Sequence, residues 1–191
     1  MIIVQHRVNT TLQLNATPTN LGVECDLRDK YNEIILQHDA YTQGENVQPY
    51  LDAYNHNLLI ANVKTEGIEQ QLINEIEKRR IPNYFLLDVS LPYLVKLSSA
   101  GYKHLAVRYS EYEPLEFALR FVGKVNWVWV DCFTHLPLNT SSYTLLKTHF
   151  KLCLVSPELQ GHNISEIANY RQLLLNMPLD AVCTKMPSLW T

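Results

Sequence analysis

An α/β fold built on a parallel sheet is what this sequence predicts, in the form of a compact (β/α)8 TIM barrel with shortened helices or one missing. Three observations lead there. Short apolar, β-branched or aromatic runs recur along the chain with helical patterns between most of them, which favours parallel strands joined by crossover helices. No glycine-rich phosphate loop follows any strand, so the open nucleotide-binding sheets lack their signature. Polar residues stand at the C-terminal end of almost every strand, and barrel enzymes assemble their active sites on that face. At 191 residues the chain is shorter than a typical barrel, which is about 250 residues long and rarely below about 200.

The expected strands are Ile2–Gln5, Gly22–Asp26, Leu58–Val63, Tyr84–Val89, His104–Arg108, Trp127–Asp131, Lys151–Val155 and Asp180–Cys183. A further run, Glu33–Gln37, follows the turn-like Asp29-Lys30-Tyr31-Asn32 and reads as a hairpin arm. Among the helices, Ile68, Leu72, Ile73 and Ile76 form one apolar stripe, ended by Arg79-Arg80 and Pro82. Leu91–Ser99 stops before Gly101, and Pro114–Val122 opens on a first-turn proline and stops at Gly123. Asn163 with Glu166 predicts a capping box opening a helix that runs to about Met177. Ser141–His149 is a weakly marked helix, and Asn9–Leu21 reads as a loop.

Composition sets the limits on function. Hydrophobic residues make up 47% and charged residues 18%, which predicts one globular domain spanning residues 1–191. A net charge of −3 with no basic run argues against nucleic acid as a partner. No apolar run approaches membrane-spanning length, and the N-terminus opens on a strand-like Met1-Ile2-Ile3-Val4 without signal-peptide character, so a cytoplasmic location is expected. Cys25, Cys132, Cys153 and Cys183 lie among aliphatic residues without C-x-x-C spacing and read as buried reduced thiols.

The chemistry is concentrated near the N-terminus. In the extended run Gly22-Val23-Glu24-Cys25-Asp26-Leu27, Glu24 and Asp26 share one face while Cys25 takes the other. Two carboxylates side by side repel unless a cation lies between them, and oxygen ligands suit Mg²⁺ or Ca²⁺. His6 precedes the pair and His38 follows it, the equipment needed to cut a phosphodiester. Strand ends further along supply Asn62 with Lys64, Asp88, Arg108, Asp131, Glu158 and Thr184. Asp88, Arg108, Asp131 and Glu158 are pocket candidates, although cross-barrel ion pairs explain them equally well. The three tryptophans read as packing residues, and His56, His104, His135, His149 and His162, which show no ligand spacing, as surface residues.

Five pieces in order resemble the glycerophosphodiester phosphodiesterase family, within the phosphatidylinositol phospholipase C-like barrels: His6-Arg7, Gly22-Val23-Glu24-Cys25-Asp26-Leu27, His38-Asp39, Asn62-Val63-Lys64, and Asp180-Ala181-Val182-Cys183-Thr184-Lys185-Met186-Pro187. The resemblance implies metal-dependent hydrolysis of a small-molecule phosphodiester in lipid metabolism, with attack by the substrate's own adjacent hydroxyl. His6 would be the base and His38 the acid, and Arg7 and Lys64 would neutralise charge on phosphorus. Glu24 and Asp26 would hold the metal with Asn62 as a weak third ligand. Asp39, Arg108, Asp131 and Glu158 are the candidates for contact with substrate, Asp39 orienting a neighbouring group rather than reacting. Val8 departs from the family's glycine, Asn9–Asn20 replaces its Pro-Glu-Asn-Thr segment, and Asn62 replaces an acidic ligand. Those departures keep a second reading open: a barrel that binds a phosphorylated ligand or a protein partner with little turnover. An aldolase or isomerase using Lys64 ranks last, because it leaves the histidines and the Glu-x-Asp pair unexplained. The sequence leaves the alcohol groups and the oligomeric state open.

Overall fold

The computed structural model describes residues 1–191. Ten strands are β1 (Ile2–Gln5), β2 (Gly22–Lys30), β3 (Glu33–Leu36), β4 (Glu45–Asn46), β5 (Leu59–Val63), β6 (Tyr84–Leu87), β7 (Ala106–Tyr109), β8 (Trp127–Val130), β9 (Lys151–Val155) and β10 (Ala181–Thr184). The helices are α1 (Thr11–Ala16), α2 (Val47–Ala53), α3 (Glu69–Lys78), α4 (Leu91–Ser99), α5 (Leu115–Leu119), α6 (Thr140–His149) and α7 (Glu166–Leu173). Short 3₁₀ turns follow β9 at Pro157–Gln160 and β10 at Pro187–Leu189. No helix is long and apolar enough to cross a membrane.

Eight of the ten strands form one curled parallel sheet in the order β6-β5-β2-β1-β10-β9-β8-β7. An isolated parallel bridge joins Leu86 on β6 to Leu105, the residue before β7, and the Leu86 N–H donates to the His104 carbonyl at 2.9 Å. The other two strands extend β2 outward as an antiparallel hairpin, with Tyr31 and Asn32 at positive φ in its turn.

The strands are buried on both faces, as expected where helices cover a parallel sheet. Their side chains join a single apolar cluster from Val4 through Phe85 and Val128 to Val182. Gly22 lets β2 enter it: a Cβ there would lie 2.8 Å from the Leu58 carbonyl oxygen and 2.9 Å from a Val4 methyl. All four cysteines are free and buried.

Several expected elements shift. The region from Asn9 to Leu21 contains α1, started by the Thr10 side chain accepting from Gln13 N–H. A capping box exists at Asn139 and Ser142, where it opens α6 firmly. Asn163 instead closes a local turn, its Oδ1 accepting from Ser165, and α7 spans only Glu166–Leu173 without a side-chain cap. The proline-led helix contracts to α5, with Pro114 as its N-cap. His56 is buried rather than superficial, its Nε2 2.9 Å from the Thr17 carbonyl oxygen, and His104 is half-buried and stacks on Tyr84 with ring centroids 4.5 Å apart.

Candidate active site

Strand register brings the first half of the site together. Gln5 pairs with Val23, and Asp26 pairs with Asn62 across the β2–β5 ladder. His6 follows β1, with its N–H donating to the Thr184 carbonyl on β10 at 2.9 Å. Its Nε2 lies 3.7 Å from Glu24 Oε2. Arg7 then turns into the left-handed region at φ 58°, a conformation that costs a non-glycine residue about 1–2 kcal/mol. The turn aims the Arg7 N–H at Glu24 Oε2, 2.8 Å away, and its guanidinium at Asp26, with Nε 3.6 Å from Oδ2.

Glu24 and Asp26 are almost completely buried. The Asn62 Nδ2 donates to Glu24 Oε1 at 3.0 Å and to Asp26 Oδ1 at 3.4 Å. Lys64 Nζ stands 3.5 Å from Asp26 Oδ1 and 3.5 Å from Asp88 Oδ2. Burial, reinforced by the neighbouring Asp26 charge, pushes the Glu24 carboxyl up to about 7. Burial and the Arg7 charge pull His6 down to about 4, which leaves its imidazole neutral near pH 7.

Asn9, which the sequence marks only as the start of a loop, completes this half. Its Nδ2 donates to Asp26 Oδ2 at 2.9 Å, and its Oδ1 accepts from Asp26 N–H at 2.8 Å. The contact bridges the loop after β1 to β2, so no helical or strand period marks it. Only its place two residues beyond Arg7 could have drawn notice.

The second half lies beyond β6, β8 and β9. Asp88, also left-handed at φ 58°, accepts from Arg108 Nε and Nη2 at 3.0 and 2.6 Å. Arg108 Nη1 binds Asp131 Oδ2, whose other oxygen accepts from Gln160 at 2.5 Å. Burial works against the Arg108 charge, but Asp88 and Asp131 hold its pKa above the ordinary value. One cavity of about 470 Å³ joins the halves: His6, Arg7, Asn62 and Lys64 line it together with Asp88, Arg108, Asp131 and Gln160. Trp129, Tyr112 and Phe133 supply its aromatic wall.

Glu24 and Asp26 lie buried beside that cavity rather than on its lining, and Glu158, His38 and Asp39 also stand off it. Glu158 turns its carboxylate toward β10, accepting from Thr184 Oγ1 at 2.6 Å and Lys185 N–H at 3.0 Å. His38 sits on the loop after β3, more than a third exposed, with Nδ1 2.7 Å from Asp39 Oδ1. That contact holds the Asp39 carboxyl below its ordinary range and leaves His38 Nε2 without a hydrogen-bond partner.

No group of three His, Cys, Asp or Glu side chains meets at metal-binding spacing, so a cation here would need the amide of Asn62. The donor set suits a hard cation: two buried carboxylates and a carboxamide whose Oδ1 is buried without a hydrogen-bond partner.

No family model and no curated protein matches the sequence. Solved structures do. A protein described as a glycerophosphoryl diester phosphodiesterase from Agrobacterium tumefaciens str. C58 aligns with TM-score 0.71 and 12% identity, over 99% of this chain and 95% of that one. A glycerophosphodiester phosphodiesterase from the same strain gives 0.70 and 12%, over 100% and 99%. A glycerophosphoryl diester phosphodiesterase from Parabacteroides distasonis ATCC 8503 gives 0.68 and 11%, over 98% and 84%. The chain shares the fold of these glycerophosphodiester phosphodiesterases, the family that its five sequence motifs resemble.

Proposed function

We propose that the protein hydrolyses a small phosphodiester of the glycerophosphodiester type, with Glu24, Asp26 and Asn62 holding Mg²⁺ or Ca²⁺. The observation that carries this reading is the convergence of His6, Arg7, Asn62 and Lys64 on one cavity beside the buried Glu24–Asp26 pair. The same reading takes the curled sheet as an eight-stranded barrel closed at the Leu86–Leu105 bridge. Glycerophosphodiesters are deacylated phospholipids, which places the reaction in lipid metabolism.

A substrate hydroxyl next to the diester attacks phosphorus and gives its proton to His6 Nε2, while the bond to the leaving alcohol breaks. His38 protonates the departing alkoxide through Nε2, because Asp39 occupies Nδ1. Arg7 and Lys64, already directed at the carboxylate pair, offset the added charge on the pentacoordinate phosphorus. Water then opens the cyclic phosphate with roles reversed: His38 takes the water proton, and His6 returns its proton to the ring oxygen. A bound cation would polarise a phosphoryl oxygen and lower the pKa of the attacking hydroxyl. Arg108, Gln160 and the aromatic wall line the room left for one of the alcohol groups.

A second reading, a barrel that binds a phosphorylated ligand without efficient turnover, is favoured by His38 standing outside the cavity lining. Steady-state kinetics and ligand binding on His6→Ala and His38→Ala separate the two. An enzyme of this type loses about 10²–10⁴ in kcat with either variant. A binding protein shows no turnover to lose and keeps its affinity in both.

A further inference from the structure

The side chain of Asn62 is 7% exposed and lies between two carboxylates with its amide nitrogen, not its oxygen, toward them. That choice has a physical reason. An NH₂ group carries two hydrogens and can bond both acids at once, whereas an oxygen in the same place would face two acid oxygens and repel them. The remaining donors complete the arrangement. Glu24 Oε2 receives the Arg7 N–H at 2.8 Å, and Asp26 Oδ2 receives Asn9 Nδ2 at 2.9 Å. The pair is therefore satisfied by the chain's own groups. The cost falls on Asn62 Oδ1, which is buried with no partner, a condition that most buried polar atoms in native proteins escape.

We infer that Asn62 is a two-position ligand: its NH₂ bridges Glu24 and Asp26 when no cation is present, and its Oδ1 turns inward to complete a three-oxygen set when Mg²⁺ or Ca²⁺ enters. A half turn about the Cβ–Cγ bond exchanges the two ends, and that torsion is a soft, roughly two-fold one. The inward oxygen would then sit where Nδ2 sits now, 3.0 and 3.4 Å from the two carboxylate oxygens. Neighbouring oxygens around Mg²⁺, bound at about 2.0–2.1 Å, are about 3 Å apart, and those around Ca²⁺ slightly more. An ionised Asp or Glu at this position could not serve both states, because it has no hydrogens with which to bridge the other two. The asparagine thus stabilises the cation-free site and lowers its affinity for the cation.

This inference rests on the cation half of the proposed function, and it is tested by binding rather than turnover, so its failure leaves hydrolysis to be judged separately. The experiment titrates Mg²⁺ or Ca²⁺ into the full ¹⁵N-labelled chain while following the Asn62 side-chain NH₂ signals, identified by their loss in Asn62→Asp. Those signals should move as the cation binds, because the hydrogens leave the carboxylates. Calorimetry should show Asn62→Asp binding the ion at least about tenfold tighter than wild type, and Asn62→Leu at least about tenfold weaker. Without cation, Asn62→Asp should melt below wild type, and saturating cation should close or reverse that gap. Unmoved Asn62 signals at saturation, no binding by wild type, or equal affinity in Asn62→Asp would overturn the inference. The wild-type titration stands alone if a variant does not fold.

Discussion

Glu24 and Asp26 on β2, and Asp88 and Asp131 beyond β6 and β8, are four carboxylates at the same end of one sheet, yet they are neutralised differently. The second pair shares Arg108, whose guanidinium bonds both acids, and Gln160 takes an oxygen of Asp131. Every strong donor there already has its acceptor. The first pair is bridged by a neutral amide, with the nearest cationic nitrogens, on Arg7 and Lys64, at 3.6 and 3.5 Å. Burial and the Asp26 charge push Glu24 up to about 7 against the pull of that amide, and His6 Nδ1 and Asn62 Oδ1 remain buried without partners. Like residues have made a structural clamp on one side and a site with unspent binding capacity on the other.

The largest effect expected from breaking this contrast is on turnover. His6→Ala should lower kcat/KM by about 10³, equivalent to about 4 kcal/mol of barrier. It should change the denaturation midpoint little, because the ring has an unpartnered nitrogen to lose; steady-state kinetics and urea denaturation check both. Asp131→Ala should do the reverse. Removing it leaves Arg108 with Asp88 alone and Gln160 without its acceptor, and losing hydrogen bonds to a charged group costs about 1.5–3 kcal/mol. Urea denaturation should show that loss, with a proportionally smaller fall in kcat.

Gly22→Ala tests how the β2 pair is positioned. Its new methyl meets the Leu58 carbonyl at 2.8 Å, so β2 must move from β5. Overpacking of this kind costs about 2 kcal/mol, and the shift should weaken cation binding, read by calorimetry.

The smallest effect concerns Glu111, which fixes the loop carrying Phe133 on the clamp side. Burial works against its charge, but the backbone N–H groups of Glu111, Thr134 and His135 and the Thr134 hydroxyl outweigh it, lowering the carboxyl from 4.5 to about 2. A depressed folded-state pKa stabilises fully above the unfolded value and is lost as pH falls toward the folded one. Glu111→Gln should therefore be about 1–2 kcal/mol less stable near neutral pH, with the gap closing between pH 4.5 and about 2. Thermal melts across that range measure it.

How much of this was legible depended on whether the signal was local. Strands such as Trp127–Val130 and Leu59–Val63 announce themselves as buried apolar runs, and the Glu24/Asp26 shared face follows from the two-residue period of β2. The six-residue α1 was hidden because its polar sequence buries only Leu14. Asn139 and Asn163 show the limit of cap signals. Both precede helices, but only Asn139 has a Ser three residues on that bonds back, whereas Asn163 spends its oxygen on Ser165. Asn9 and Gln160 were invisible for a different reason: each meets its carboxylate across the fold, and nothing in a short window encodes that contact. The Asp88–Arg108–Asp131 clamp lay between, since the strand-end residues were evident but not their pairing.

A ³¹P NMR time course with glycerol, inositol and sugar phosphodiesters in Mg²⁺ or Ca²⁺ tests the proposed hydrolysis at its first step. Attack by the substrate's own hydroxyl with His6 as base predicts a cyclic phosphate signal that rises and then gives way to a monoester, in wild type and not in His6→Ala. Monoester formation with no cyclic species and unchanged rates in His6→Ala would contradict it, as would silence across the panel alongside ligand binding that His6→Ala leaves intact.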